Sequence, residues 1–215
     1  MSDLRTGRKG YPRKRGPASR APVETVGVFG GTFNPPHIGH LVAAESAADQ
    51  LKLGKLYFVP ASIPPHKLDE KIVPAELRYE MLRLAIEGNS RFALSRIELD
   101  RRGPSYTVDT VAEIKTSLRI KDLYLIVGID LLIDFHTWRS PDRILDECSV
   151  VAMNRPGFDL SSVDSGLLSR VDVITVPAID ISSTVIRRKI NSGESIKYLV
   201  PPAVEDYILS AGLYR

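Results

Sequence analysis

Three of the four histidines in the chain, His37, His40 and His66, fall in two short stretches, each placed after a run of apolar residues. The first stretch reads Gly30-Gly31-Thr32-Phe33-Asn34-Pro35-Pro36-His37-Ile38-Gly39-His40, with a helix-period segment beginning at its end. Glycines let backbone N–H groups approach an anion closely, and a helix N-terminus adds unpaired donors and the positive end of a dipole. Histidines there suit phosphate oxygens, because a protonated imidazole donates charge-assisted hydrogen bonds and a nearby polyanion favours that form. The spacing of Gly27, Gly30 and Gly31 fits neither the G-x-x-x-x-G-K-[ST] loop nor the G-x-G-x-x-G fingerprint. His37 and His40 have no cysteine or acidic cluster nearby to supply a third metal ligand, and H-x-x-H is not H-E-x-x-H, so no protein metal site is expected. The plain alternative for each histidine is a structural hydrogen bond inside a turn.

The elements that must hold these residues alternate between apolar runs and helix-period segments from Val23 onward, the pattern of repeated βα units. Strands are predicted at Thr25 to Phe29, Lys55 to Pro60, Phe92 to Leu99, Asp122 to Gly128, Ser149 to Met153 and Val171 to Val176. Helices are predicted from Ile38 to Leu51, through Leu77, Met81, Leu84 and Ala85 up to Gly88, and from Thr107 to Leu118. Short helices follow near Leu131 to Phe135 and Pro141 to Asp146. Ser182 opens a helix through Ile186 and Ile190, and Pro201 opens another bearing Val204, Tyr207 and Ile208. The expected fold is α/β, a Rossmann-like doubly wound parallel sheet, which binds ligands outside the carboxyl ends of its strands.

At 215 residues, with 29 Lys+Arg against 26 Asp+Glu, the chain suits one large domain with a small appendage. Its sequence pI near 9.0 hints at nucleic acid. The excess charge, however, is confined to residues 1–20, which carry +6 and leave −3 for residues 21–215. We therefore expect residues 1–22 to be a basic, disordered extension and residues 23–215 a single domain, with nucleic acid disfavoured as a partner. The single cysteine, Cys148, excludes an intramolecular disulfide, and no apolar run is long enough to span a bilayer, so a cytoplasmic, non-membrane protein is expected. Oligomeric state is open, with a homo-oligomer allowed.

The segment from Gly31 to His40 resembles the G-x-F-x-P-x-H-x-G-H motif of the nucleotidylyltransferase superfamily. Ile181-Ser182-Ser183-Thr184-Val185-Ile186-Arg187 resembles that superfamily's second motif, I-S-S-T-x-[IL]-R. Three further segments narrow the likeness to the nicotinate-nucleotide adenylyltransferases. They are Pro64-Pro65-His66-Lys67, the run Gly103 to Thr110, and Gly128-Ile129-Asp130-Leu131 with Phe135 and Trp138. Arg155-Pro156-Gly157 and the ending Gly212-Leu213-Tyr214-Arg215 also fit. Asn34 departs from the family, where Asp is more usual.

The resemblance implies joining of ATP and nicotinate mononucleotide into nicotinate adenine dinucleotide and pyrophosphate, a step in NAD biosynthesis. It implies that His37, His40, Lys67 and Arg187 are catalytic, with Mg2+ carried by the ATP phosphates. Gly30, Gly31, Thr32, Phe33, His40, Gly128, Asp130, Ile181, Ser183, Thr184 and Arg187 would bind ATP. Tyr106, Thr107, Trp138, Arg139 and His66 would bind the mononucleotide, with Trp138 stacked on the pyridine ring. Core packing is the competing reading of Trp138, and a helix cap that of Asp109 and Thr110. Rival functions are a related adenylyltransferase acting on nicotinamide mononucleotide or phosphopantetheine, and a nucleotide- or nucleic-acid-binding protein using the basic tail.

Overall fold

The computed structural model describes residues 25–64, 72–154 and 159–215. His66, Lys67, Arg155-Pro156-Gly157 and the basic N-terminal stretch lie outside the described residues.

The chain runs β1 (Val26–Gly31), α1 (Ile38–Gln50), β2 (Lys55–Pro60), α2 (Ala75–Ile86), β3 (Phe92–Leu94), α3 (Ile97–Asp100) and α4 (Thr107–Leu118). It continues β4 (Leu123–Gly128), α5 (Pro141–Glu147), β5 (Ser149–Asn154), α6 (Ser165–Leu168), β6 (Asp172–Thr175), α7 (Ser183–Asn191) and α8 (Pro202–Ser210). Short 3-10 turns at Ile129–Leu132 and Phe135–Thr137 join β4 to α5. All six strands are parallel, in the order β3-β2-β1-β4-β5-β6. The chain builds outward from β1 to β3, then crosses back to lay β4 on the other side of β1. That reversal opens a crevice at the carboxyl ends of β1 and β4.

Alternation along the strands sorts side chains between two covered faces. Val28, Leu125, Val127 and Val150 pack under Val108, Val111 and Ile114 of α4. Phe29, Phe58 and Ile126 face Ala44, Ala47 and Ala48 of α1, whose small side chains let that helix lie close to the sheet. A third cluster joins Met81 of α2 to Ile186 and Ile190 of α7 and Val204 and Ile208 of α8. This cluster brings the last two helices back against the first loop.

Two expectations about elements need correction. The strand expected from Phe92 to Leu99 stops at Leu94, where the ladder with β2 ends at the Tyr57, Phe58 pairings. The chain then turns into α3, with Arg96 pairing forward to Asp100 and Glu98 buried against α4. Gly30 and Gly31, expected in a loop, are the last residues of β1, paired with Val59 and Pro60.

Candidate active site

β1 and β4 end side by side, in Gly31 and Gly128, at the crevice. A methyl group built on Gly30 would meet nothing within 4 Å, so the fold leaves open space there that it does not need for its own packing. Gly31 is different: a Cβ there would sit 3.0 Å from the Phe33 ring. Phe33 itself is 2% exposed, held at φ +48°, and packs edge-on against His40 with ring centroids 5.0 Å apart. Its side chain therefore forms the floor of the loop, and only its backbone is free to face a ligand.

His37 is the N-cap of α1 and His40 lies in the first turn, so their rings come together at the helix N-terminus. The imidazoles stack with centroids 3.6 Å apart and planes inclined by 24°. The backbone N–H of His37 donates to His40 Nδ1 at 3.2 Å. With Nδ1 accepting, the neutral His40 ring carries its proton on Nε2, which becomes a donor aimed away from its own backbone. Nδ1 of His37 is buried with no hydrogen-bond partner among the described residues. Gly39 makes the stack possible, since a Cβ at that position would lie 3.1 Å from His37 Nδ1. Burial lowers His37 to about 4. Burial, then the neighbouring His37, pushes His40 well below the ordinary histidine value. Burial thus favours the neutral form of both rings, and a polyanion against them would favour the charged form.

The second motif meets the first at this point. Ser182 caps α7 by accepting from the Val185 N–H at 3.2 Å, as its position at the helix start led us to expect. Ser183 Oγ donates to the Pro35 carbonyl at 2.8 Å, and Arg187 Nη1 donates to the Asn34 carbonyl at 2.9 Å. The other amine of Arg187 donates to Thr184 Oγ1 at 3.3 Å. The Ile181 carbonyl lies 3.8 Å from where a Gly39 side chain would start. These bonds dock the N-terminus of α7 on the loop that leads into α1. Both helix starts carry unpaired N–H donors and the positive end of a dipole. On the β4 side, the Asp130 carboxylate folds back over Gly128, its Oδ1 2.7 Å from where a Cβ would sit, and Asp130 is exposed at the strand's end.

A separate cleft of about 230 Å3 opens beside α4, lined by Ser105, Tyr106, Thr107, Thr137, Trp138, Arg139 and Ile144. Thr107 is the first residue of α4, so its N–H has no partner within the helix. Trp138 packs on Phe135 at 4.9 Å and stays half-buried, one face towards the cleft rim. Arg139 lies over the Tyr106 ring at 4.7 Å and reaches Asp109 at 3.5 Å. Neither Asp109 nor Thr110 caps α4. Its N-cap is Tyr106, without a side-chain cap, and Thr110 is buried with its hydroxyl on Glu98 at 2.6 Å.

Sequence reasoning passed over Arg78 and Glu98, and gave no partners to Asn34 and Tyr214. Arg78, 1% exposed, spreads its guanidinium over three backbone carbonyls from three segments. Asn34 Oδ1 accepts from the Val73 N–H at 3.3 Å and from the Tyr214 hydroxyl at 2.9 Å. Burial pushes the Glu98 carboxyl up, against the pull of the Thr110 and Ser105 hydroxyls. The overlooked signal for Arg78 was its place on the inward stripe of α2 with Met81, Leu82 and Ile86, where a charge is out of character. Among the described residues, no group of three or more His, Cys, Asp or Glu could hold a metal ion.

The cytidylyltransferase-like family matches residues 28–189, and the relatives that follow make the chain a nucleotidyltransferase. A protein of Moorella thermoacetica named "Probable nicotinate-nucleotide adenylyltransferase" is 46% identical over 198 residues, covering 88% of this chain and 91% of its own. One of the same name from Thermus thermophilus is 45% identical over 190 residues, covering 88% and 99%. The chain belongs to the nicotinate-nucleotide adenylyltransferase family. The fold also matches the Plasmodium falciparum nicotinic acid mononucleotide adenylyltransferase complexed with NaAD, at a TM-score of 0.73 and 19% identity, over 89% of this chain and 97% of that one.

Proposed function

We propose that the two sites divide one reaction between them: ATP occupies the crevice at Gly30, and nicotinate mononucleotide the cleft at Trp138. The mononucleotide phosphate attacks the α-phosphorus of ATP, giving nicotinate adenine dinucleotide and releasing pyrophosphate. A phosphate monoester has a second pKa near 6, so this nucleophile arrives largely dianionic and needs no base to deprotonate it. The chain's task is positioning and stabilisation of charge on the phosphates. The observation that carries the reading is the docking of the α7 N-terminus on the loop that leads into α1, made by Ser183 and Arg187 bonding to backbone 148 and 153 positions away.

In this reading His40 Nε2 donates to the α-phosphate and His37 supports it from the stacked ring. Ser183, Thr184, Arg187 and the α7 N-terminus hold the β- and γ-phosphates and the departing pyrophosphate. Thr32, Phe33 and Ile181 contribute backbone groups, Gly30 and Gly31 give room, and Gly128 and Asp130 meet the ribose. Lys67 and His66, from the family motif, complete the phosphate and mononucleotide contacts. Trp138 stacks on the pyridinium, while N–H groups of Thr107 and Arg139 take the two oxygens of the nicotinate carboxylate, which a carboxamide cannot match. Histidine and arginine donors do not ligate a hard cation, so Mg2+ is proposed to arrive on the ATP phosphates, where it neutralises charge. The partners are then two small nucleotides, which fits a cytoplasmic site of action. No helix among the described residues is long and apolar enough to cross a membrane.

The test is pyrophosphate release from ATP and Mg2+ with nicotinate mononucleotide, nicotinamide mononucleotide or phosphopantetheine in parallel. Nicotinate mononucleotide should be the strongly preferred acceptor. Equal rates with the two pyridine mononucleotides would remove the assignment of Thr107 and Arg139.

A further inference from the structure

The two substrate sites are joined by one buried side chain. Arg78 Nη1 donates to the Thr32 carbonyl at 2.7 Å, Nη2 to the Ser62 carbonyl at 3.2 Å and Nε to the Val73 carbonyl at 2.8 Å. Thr32 belongs to the loop that forms the ATP crevice. Ser62 leads to the other site: its N–H and that of Ile63 donate to Ser105 Oγ at 2.9 and 3.4 Å, and the Ser105 N–H donates to the Ile63 carbonyl at 3.0 Å. Ser105 immediately precedes Tyr106 and Thr107 of the mononucleotide cleft. Its hydroxyl oxygen is engaged by the Ser62 and Ile63 N–H groups.

A charge removed from water is costly, and three carbonyls spread over three segments suit the divergent N–H groups of a planar guanidinium better than the compact head of an ammonium. Nothing in the hydrophobic core requires a charge there: the neighbouring inward positions of α2 are Met81 and Leu82. On the reading of the two sites given above, we propose that Arg78 is a positioning residue that sets the spacing between the ATP loop and the mononucleotide cleft. It touches neither substrate. It holds the carbonyl of Thr32 and the carbonyl of Ser62 at one distance, and Ser105 passes that distance on to Thr107. Bringing the attacking oxygen within about 3–3.5 Å of phosphorus depends on that spacing, and a displacement of about 1 Å can cost on the order of 100-fold in rate.

The experiment compares Arg78→Lys, Ser105→Ala and the double variant. It measures kcat with both substrates, and the separate Kd of nicotinate mononucleotide and of a non-hydrolysable ATP analogue by calorimetry. Each single variant should lower kcat by about 10-fold or more while each Kd stays within about threefold, because each half-site is intact and only their relation is disturbed. The double variant should be no slower than the slower single, since both changes cut one path. Should Arg78→Lys fail to fold, Ser105→Ala carries the test alone. Wild-type kcat in Ser105→Ala, a rise in Kd that accounts for the lost rate, or additive losses would each overturn the proposal. A wild-type enzyme that releases no pyrophosphate with nicotinate mononucleotide would instead remove the functional reading on which the proposal rests.

Discussion

The hydroxyl of Tyr214 donates to Oδ1 of Asn34 across 2.9 Å, linking residues 180 positions apart in the chain. The same asparagine accepts from the Val73 N–H through that oxygen, and offers its backbone carbonyl to Arg187. One residue of the first motif is thus the meeting point of three later segments.

Removing only the hydroxyl, with Tyr214→Phe, leaves Oδ1 with its Val73 partner, so the loss should be near about 1 kcal/mol. For a chain of this size that is a fall of about 2–4 °C in Tm, read by calorimetry or far-UV melting. Asn34→Asp should be tolerated, because both bonds to Oδ1 are accepted and a guanidinium stands against the residue's backbone. Asn34→Leu strands a buried hydroxyl and an N–H, at roughly 1–3 kcal/mol each. A destabilised aspartate variant with a healthy leucine variant would contradict this account.

Acid should weaken the fold through the histidine pair. His37 titrates at about 4 in the folded chain against 6.5 when free, so the unfolded state binds more protons between those values. Stability from this group is complete above pH 6.5 and falls as pH drops towards 4, by on the order of 3 kcal/mol. The raised Glu98 carboxyl pulls in the opposite direction, and His37→Asn separates the two by flattening the acid limb alone. ATP should reverse the effect. A triphosphate against the rings raises their pKa values, so binding near pH 6 should take up protons, seen as a binding heat that depends on the ionisation enthalpy of the buffer.

Gly30 and Gly39 make a matched pair of tests. Gly30→Ala adds a methyl to space that holds no protein atom within 4 Å, so Tm should not change while ATP affinity falls. Gly39→Ala pushes a methyl towards His37 Nδ1, 3.1 Å away, so the histidine stack must shift and turnover should drop. Melting curves and initial rates on both variants settle whether the first glycine serves ligand and the second serves the histidines.

Trp138→Ala should raise the apparent KM for the mononucleotide and leave that for ATP nearly unchanged. A pyridinium against an aromatic face is worth about 0.5–2 kcal/mol, a change of roughly 2–30-fold. Trp138→Phe should recover part of it. Equal damage to both substrates would return Trp138 to a packing role.

Much of the scaffold was legible because local pattern and tertiary context agree. Val108, Val111 and Ile114 recur at helical spacing and do line the buried face of α4, and the run from Leu123 to Val127 is buried on both sides as a central parallel strand must be. The strand predicted to Leu99 failed because β3 lies at the sheet edge, with one neighbour and nothing to extend it, while Glu98 found a buried partner on α4. In the site, the glycines and histidines are recognisable because their chemistry is local to ten residues. Arg78 and Ser105 act on backbone atoms every residue possesses, Tyr214 acts on a side chain 180 positions away, and no spacing rule marks such partners.

The bond between Asn34 and Tyr214 also places the site in time. At about 5–20 residues per second, synthesis reaches position 214 on the order of ten to forty seconds after position 34. Until then the oxygen that Tyr214 will bond has only Val73 or water, and for most of that interval neither Ser183 nor Arg187 has been made to brace the loop. The nascent chain carries its histidines early but has no finished nucleotide pocket. The first motif to be made is the last to become competent.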